Sequence, residues 1–230
     1  MAIKAVFLDF YGTLVHEADE ILPGICVHIQ QNATKECRAS EVGEYWWKSY
    51  TAMFQNSYGD SFQRQRALSL ASLAETIAHY RSACIAEEVI QPQFDYWVQP
   101  RLYADTLPFL QAIRHYPTYI VSNIDKTDML AAAAHHQFPV TGILTSEDVL
   151  SYKPRPELFL EALRRCGLMA EEVLHIGDSM TSDVAGAQGV GLKTMWLNRQ
   201  GKPKPEGIEP DYICRDLGEA GRILLELSVR

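Results

Sequence analysis

The chain has 230 residues, a formal net charge of -8 at pH 7, 47% hydrophobic residues and 22% charged residues. This length is sufficient for one large α/β domain or for a core domain with a smaller inserted one, and the composition excludes disordered, collagen-like and membrane classes. The negative charge disfavours nucleic acid as the main partner, because phosphate backbones are bound by positively charged surfaces.

The sequence predicts neither a targeting segment nor a cysteine-based site. The first apolar run is interrupted by Asp9, too early for a signal peptide, and no stretch approaches the roughly 20 apolar residues that a membrane span needs. The five cysteines are scattered, odd in number and free of Cys-x-x-Cys pairs, so neither disulfides nor a zinc site are expected. These patterns predict a cytoplasmic protein that has neither membrane nor nucleic acid as a partner.

The chain begins with an apolar run over residues 4–8 that leads into Asp9-Phe10-Tyr11-Gly12-Thr13. A run of strand length that stops at a carboxylate and a Gly-Thr turn places Asp9 at the carboxyl end of a strand. Open α/β sheets carry their chemistry at this end of the strands. Asp9 is therefore the first candidate for a nucleophile.

From about residue 17 to residue 98 the sequence carries helical signals and hardly a strand pattern. Amphipathic patterns cover residues 20–31, 67–80 and 82–90, and Asp60 or Ser61 is a candidate N-cap for a further helix. These signals predict a helical insertion of about four elements.

An aromatic row lies within this helical region at close to helical spacing. Its members are Trp46, Trp47, Tyr50, Phe54 and Tyr58. Such spacing is typical of a packed helix face, and the alternative interpretation is the lining of an apolar substrate pocket.

From residue 116 onward, short apolar runs alternate with helical patterns. Strands are predicted at residues 119–121, 142–144, 173–176 and 194–197, helices at 126–136, 156–166 and 182–188, and a last strand near Tyr212 before a helix to Leu227. This alternation predicts an α/β fold with a parallel, doubly wound sheet.

Polar signals at the ends of predicted strands form one ordered set. They are Asp9-x-Tyr11-Gly12-Thr13, Ser122-Asn123, Lys153-Pro154, and Gly177-Asp178-Ser179 followed by Asp183. Each signal alone is typical of an ordinary turn or helix start, but in order along the strand ends they indicate one site.

The charges of this set are unbalanced, because Asp9, Asp178 and Asp183 would meet in one pocket with only Lys153 to compensate them. A hard divalent cation such as Mg²⁺ resolves such crowding of carboxylates. The alternative is a salt-bridged network that only holds the strand ends together.

The four motifs resemble those of the haloacid dehalogenase-like hydrolase superfamily, and the resemblance extends over nearly the whole chain. It implies a Rossmann-like catalytic core formed by residues 1–15 and 99–230. Residues 16–98 would form an inserted α-helical cap domain.

The same resemblance implies roles for individual residues. Asp9 would be the nucleophile and a Mg²⁺ ligand, and the main-chain carbonyl of Tyr11 and the carboxylate of Asp178 would be further ligands. Asp183 would orient Lys153 or a metal-bound water.

The substrate of such an enzyme would be a small organic molecule, most simply a phosphate ester. By resemblance, its phosphate would be bound by Thr13, Ser122, Asn123 and Lys153. Ser122 and Lys153 would also take part in catalysis, together with Asp9 and Tyr11.

Tyr11 is the departure from the phosphatase pattern, which usually reads Asp-x-Asp-Gly-Thr and uses the second aspartate as acid and base. A phenol is a poor base at neutral pH, and loss of general acid-base help costs on the order of 100 to 10,000-fold in rate. The leading interpretation is therefore a Mg²⁺-dependent phosphatase with weak activity, or with activity restricted to good leaving groups.

Two alternatives stay open. The 2-haloacid dehalogenases of the superfamily share the Asp-x-Tyr-Gly-Thr pattern and need no metal, although their fourth motif resembles Ser-Asn rather than Gly177-Asp178-Ser179. The second alternative is a binding or regulatory protein that kept the pocket and lost turnover.

Overall fold

The computed structural model describes residues 2–228 and contains one six-stranded sheet. Its strands are β1 (Ala5–Leu8), β2 (Thr118–Ser122), β3 (Gly142–Thr145), β4 (Val173–Gly177), β5 (Lys193–Leu197) and β6 (Tyr212–Cys214). All neighbours pair in parallel in the order β3-β2-β1-β4-β5-β6. The predicted α/β fold with a parallel sheet is confirmed, and the chain changes direction across the sheet between β1 and β4.

Ten α-helices accompany the strands within residues 2–228. They are α1 (Leu22–Gln31), α2 (Ala39–Gln55), α3 (Gln65–His79), α4 (Ala86–Val89), α5 (Gln91–Val98), α6 (Thr106–Ala112), α7 (Lys126–His136), α8 (Glu157–Cys166), α9 (Gly186–Gln188) and α10 (Leu217–Ser228). The predicted helix at residues 126–136 has the bounds of α7, and the predicted helix at 182–188 is a π-helical turn, Met180–Ala185, that continues into α9.

The sheet is covered on both faces, as its buried strands require. Val6 and Leu8 belong to a core that includes residues of α6, α7 and α10. Ala5 and Phe7 point to the other face, where α8 and α9 pack. Alternate residues of β1 therefore fill two different cores, which explains why the strand is apolar throughout.

Five helices, α1 to α5, lie in the helical segment, a name used below for residues 16–98. The expected helix start at Asp60 or Ser61 is wrong, because these residues lie in a short 3₁₀ turn and α3 begins at Gln65. The cap of α3 comes from outside the segment. The Asp125 carboxylate accepts hydrogen bonds from the main-chain N–H groups of Gln65 (2.6 Å) and Arg66 (3.0 Å).

The expected helix over residues 82–90 is also only partly correct. A single turn, α4, occupies its second half, and α5 then begins at Gln91 with Pro92 in its first turn. Proline is favoured there because its missing N–H group has no partner in the first turn of a helix. The chain therefore starts a new helix where the sequence pattern suggested the end of an old one.

The aromatic row of α2 divides between two environments. Trp46 is buried and donates a hydrogen bond from Nε1 to Ser72 Oγ (3.1 Å), as a core residue would. Phe54, further along the helix, packs on Tyr152 with ring centroids 4.2 Å apart. Because Tyr152 immediately precedes Lys153, α2 contacts the loop that carries the predicted lysine. None of the helices within residues 2–228 has the length and apolar character needed to cross a bilayer.

Candidate active site

Three carboxylates meet at the carboxyl ends of β1 and β4, where the strand order reverses. Asp9 and Asp178 each directly follow their strand, and Asp183 lies in the π-helical turn after β4. Carboxylate oxygens of the three residues lie within 4.8 Å of one another. Ligands of open α/β sheets bind in the crevice at this position.

Lys153 joins two of the carboxylates. Its Nζ donates hydrogen bonds to Asp9 Oδ1 (2.7 Å), Asp183 Oδ1 (2.6 Å) and the carbonyl oxygen of Val121 (2.9 Å), and the side chain is 2% exposed. Burial alone would lower the pKa of Lys153, but the charges of Asp183 and Asp9 outweigh it and raise the pKa. Lys153 is therefore a permanently charged group held between the two aspartates.

Asn123 holds Lys153 in this position. Its side-chain Oδ1 accepts a hydrogen bond from the main-chain N–H of Lys153 (2.7 Å), and its Nδ2 donates to the Lys153 carbonyl oxygen (3.1 Å). Both ends of the amide are engaged, so the Asn123 side chain acts on the site by fixing the lysine loop.

Asp183 is fully engaged by protein groups. Besides Lys153, it accepts a hydrogen bond from the main-chain N–H of Ser179 (3.0 Å), and its Oδ1 lies 3.0 Å from His175 Nε2. Burial would raise the pKa of Asp183, but Lys153 and His175 outweigh this effect and lower the pKa. A side chain at Gly177 would overlap the Asp183 carboxylate, since its Cβ would lie 2.2 Å from Cγ.

Asp178 differs from Asp183 in how its carboxylate is held. Within residues 2–228 its carboxylate has no hydrogen bond or ion pair, although Trp196 Nε1 fixes the Asp178 carbonyl oxygen at 2.9 Å. Burial, and then repulsion by Asp183 and Asp9, raise the pKa of Asp178 to about 8. Gly12, at φ +77°, leaves room for this carboxylate, because a Cβ there would lie 2.6 Å from it.

The donor set fits a hard divalent cation. Three clustered carboxylates face one ammonium group, and burial raises the pKa of Asp9 to about 6 despite the opposing effect of Lys153. A cation with oxygen ligands would relieve this repulsion. Since both oxygens of Asp183 already accept hydrogen bonds, whereas Lys153 binds only Oδ1 of Asp9, the carboxylates of Asp9 and Asp178 are the ones left to hold it.

Seven of the eight predicted site residues line one cavity of about 210 Å³. They are Asp9, Tyr11, Ser122, Asn123, Lys153, Asp178 and Asp183. Thr13 is not among the lining residues. Its buried Oγ1 has no partner within residues 2–228, and its carbonyl oxygen accepts a hydrogen bond from Arg199 (3.0 Å).

The cavity also contains residues that the motifs did not indicate. Glu17, Gln65 and Trp97 come from the helical segment. They lie outside the strand ends, so no strand-end pattern could have found them, and only the packing of the segment brings them to Asp9.

The Tyr11 hydroxyl is bound by the helical segment. It donates a hydrogen bond to the carbonyl oxygen of Trp97 at 2.6 Å. Burial, together with nearby acidic groups, raises the pKa of Tyr11 above its ordinary value. Tyr11 therefore stays protonated at neutral pH, and its hydrogen bond links the loop after Asp9 to the end of α5.

Residues 3–191 match the family model of the haloacid dehalogenase-like hydrolases. An (S)-2-haloacid dehalogenase of Pseudomonas putida is 24% identical over 97% of both chains. A phosphoserine phosphatase of Thermus thermophilus is 32% identical over 43% of this chain. The chain spans about a third to a half of the length of the first curated relatives that it matches.

Solved structures share the fold over almost the entire chain. A crystal structure of an L-2-haloacid dehalogenase superposes with a TM-score of 0.80 at 19% identity, covering 98% of this chain and 100% of that one. The magnesium-bound hydrolase YfnB of Bacillus subtilis gives a TM-score of 0.77 at 21% identity, with 98% and 100% coverage. Together with the family match and the strand-end cluster, these findings show that the chain belongs to the haloacid dehalogenase-like hydrolase family.

Proposed function

We propose that this hydrolase is a Mg²⁺-dependent phosphatase that acts on a small organic phosphate ester with Asp9 as the nucleophile. The observation that carries the proposal is the state of Asp178. Its carboxylate lies beside Asp9 and Asp183 without a compensating partner within residues 2–228. A half-buried carboxylate that is crowded by two others is costly to keep charged in a protein that binds no cation.

The residues of the chain support a two-step reaction. The oxygen of Asp9 that Lys153 does not bind attacks phosphorus, the bond from phosphorus to the ester oxygen breaks, and the alcohol leaves as the phosphoryl group is transferred to Asp9. Water then attacks the phosphorus of this aspartyl phosphate, and the bond to Asp9 breaks to release inorganic phosphate. Lys153 would neutralise the phosphoryl oxygens, and Ser122 would donate a hydrogen bond to them.

Mg²⁺ held by Asp9, Asp178 and the Tyr11 carbonyl oxygen would supply charge neutralisation for the phosphoryl group. Asp183 would keep Lys153 oriented toward Asp9, since it binds the same Nζ. In this arrangement most of the rate enhancement comes from positioning and charge stabilisation, which is how phosphoryl transfer is generally catalysed.

Tyr11 limits the reaction, because its hydroxyl already donates a hydrogen bond to the Trp97 carbonyl oxygen and a phenol of raised pKa is a poor acid for a leaving alkoxide. The departing alcohol must then leave as an anion that water protonates. Esters of acidic alcohols such as phenols should be turned over faster than esters of aliphatic alcohols.

The second candidate is a 2-haloacid dehalogenase. It is favoured by Tyr11 and by the similarity to the Pseudomonas putida dehalogenase over 97% of both chains. It is disfavoured by Asp178, because without a metal this group would have to take up a proton or repel the carboxylate of a haloacid beside Asp9. A protein that binds ligands without turnover is the third candidate.

One panel distinguishes the three candidates. Phosphate release from phenyl phosphate and glycerol 2-phosphate is measured with and without Mg²⁺, and halide release is measured from 2-chloropropionate. Mg²⁺ binding is measured by calorimetry on the native chain and on Asp178→Asn. Each assay is repeated on Asp9→Asn and on Asp60→Asn, a matched control at an exposed aspartate far from the cluster in sequence.

We expect Mg²⁺-dependent phosphate release that is faster for phenyl phosphate, is lost in Asp9→Asn and is retained in Asp60→Asn. Weaker Mg²⁺ binding by Asp178→Asn would support the assigned ligand. Halide release without metal would overturn the proposal in favour of the dehalogenase. Tight Mg²⁺ binding without turnover of any substrate would favour the binding protein.

A further inference from the structure

A second cavity of about 260 Å³ lies inside the helical segment. It is formed by residues of α1, α2, α3 and α5 and by the loop after β1. Glu17, Gln65 and Trp97 line both this cavity and the one that contains Asp9. The two cavities are therefore adjacent, and these three side chains belong to both linings.

The walls of this second cavity are largely aromatic. Trp46, Trp47, Tyr50 and Trp97 line it, and the rings of Trp47 and Tyr50 lie nearly parallel, with centroids 5.9 Å apart and 28° between their planes. Flat aromatic walls favour a flat ring, which stacks on them with little loss of conformational freedom.

Two amide oxygens in this cavity have no partner. Gln65 and Gln93 both line it, and the Oε1 atom of each is buried without a hydrogen bond within residues 2–228. Gln93 is 9% exposed, so its side chain is withdrawn from bulk solvent. A buried acceptor without a donor is unfavourable, which means that a ligand carrying N–H or O–H groups would gain from meeting it.

The charged residues of the cavity further restrict the chemical class of its ligand. Its lining residues include Glu17 but neither lysine nor arginine. A second phosphate or a carboxylate at this end of a substrate would have no cation among these residues to pair with. The bound group is therefore neutral or basic.

We propose that the second cavity binds the alcohol part of the substrate, and that this part is a flat, neutral or basic ring bearing N–H or O–H donors for Gln65 and Gln93. The inference rests on the proposed function only in placing a phosphate group at Asp9. It adds the substrate class: a phosphate ester of a donor-bearing aromatic or heteroaromatic ring, rather than of an aliphatic acid or sugar.

Two pairs of probes test this inference. Benzylphosphonate and 4-aminobenzylphosphonate cannot be hydrolysed and differ by one amino group, so calorimetry reports binding without turnover. Phenyl phosphate and 4-aminophenyl phosphate have leaving groups of similar acidity, so a difference in kcat/KM reports recognition. Both pairs are applied in the presence of Mg²⁺ to the native chain and to Gln93→Leu.

Leucine is close to glutamine in size and carries no polar group, so the Gln93→Leu variant removes the acceptor without opening the wall. Gln65→Leu is the second variant, and it keeps the main-chain N–H that Asp125 binds. The matched control is Gln63→Leu, which changes an exposed glutamine of the same segment outside the cavity.

We expect the native chain to bind 4-aminobenzylphosphonate about tenfold more tightly than benzylphosphonate. The preference should disappear in Gln93→Leu or Gln65→Leu and persist in Gln63→Leu. Equal binding of both phosphonates, binding of neither, or a preference unchanged in both cavity variants would overturn the inference. Preferential phosphonate binding without phosphate release would overturn the proposed function and leave this inference standing. Phosphate release without the binding preference would overturn this inference and leave the proposed function standing.

Discussion

The two cavities differ in how their polar groups are satisfied. At the sheet edge, Lys153 and Asp183 use their hydrogen-bonding groups on each other and on neighbouring residues, whereas the Asp178 carboxylate has no hydrogen bond or ion pair within residues 2–228. In the helical segment, aromatic walls surround two buried amide oxygens that accept no hydrogen bond within residues 2–228. The charged groups at the sheet edge are held mainly by one another, whereas the proposed ring-binding cavity offers acceptors that a ligand would satisfy.

This difference separates two tasks. The strand register fixes where Asp9 and Asp178 lie, because β1 and β4 are paired directly and both residues follow their strand ends. The helical segment contributes no strand to this sheet. In the proposed reaction the sheet edge would determine the chemistry, and the helical segment would determine which molecule reaches it.

The largest effect is expected from removing the charge that holds the sheet-edge site together. Lys153→Met keeps the length of the side chain but leaves Asp9 and Asp183 buried without their common cation. Breaking a buried ion pair from one side costs about 3 to 5 kcal/mol, because the remaining charge stays desolvated. We expect the free energy of unfolding to fall by this amount in urea titrations, with loss of phosphate release.

Lys126→Met is the matched control for this change. Lys126 also binds a carboxylate, Asp148, at 2.7 Å, but its side chain is 47% exposed and Asp148 keeps a second partner in Arg165. Lys126→Met should lower the free energy of unfolding by less than about 1 kcal/mol. Equal losses for the two variants would contradict the view that the sheet-edge charges are held together by Lys153.

A smaller effect is expected in the helical segment, where adjacent tryptophans separate packing from ligand contact. Trp46 is 7% exposed and Trp47 is 69% exposed, yet both line the second cavity. Trp46→Ala should lower the free energy of unfolding by roughly 3 kcal/mol, at the lower end for buried aromatic residues because one side already borders a cavity. Trp47→Ala should change it by less than about 0.5 kcal/mol.

The binding of an aryl ligand distinguishes a packing role of Trp47 from a role in ligand contact. Trp47→Ala should weaken binding of benzylphosphonate measured by calorimetry, while its thermal unfolding stays close to that of the native chain. A stable Trp47→Ala protein with unchanged affinity would show that the aromatic row serves packing alone.

The sheet was predictable from the sequence because its signals are local. Each strand is a short apolar run, and the helix at residues 126–136 was predicted with the bounds that α7 has. The start of α3 was not predictable in this way. Its N-terminal N–H groups are capped by Asp125, about 60 residues along the chain, so the local choice of Asp60 or Ser61 as the cap was wrong.

The site shows the same division between local and tertiary information. Asp9, Lys153 and Asp178 could be predicted as neighbours, since parallel strands bring their carboxyl ends to one edge. The role of the Asn123 side chain in holding the Lys153 main chain could not, because it depends on the path of two loops. Gln65 and Gln93 carry no local signal of function and are distinguished only by burial without a partner.

The smallest effect is expected at the contact between the two regions, the hydrogen bond from the Tyr11 hydroxyl to the Trp97 carbonyl oxygen (2.6 Å). Tyr11→Phe removes the donor and leaves the carbonyl oxygen without it, which should cost about 1 kcal/mol in urea titrations. Tyr45→Phe is the control, since its hydroxyl contacts Glu75 at 3.4 Å in an exposed position and should cost little. Equal changes in both variants would mean that this link contributes nothing to how the helical segment is held over Asp9. A larger loss in Tyr11→Phe alone would make Tyr11 a structural tie between the nucleophile loop and α5.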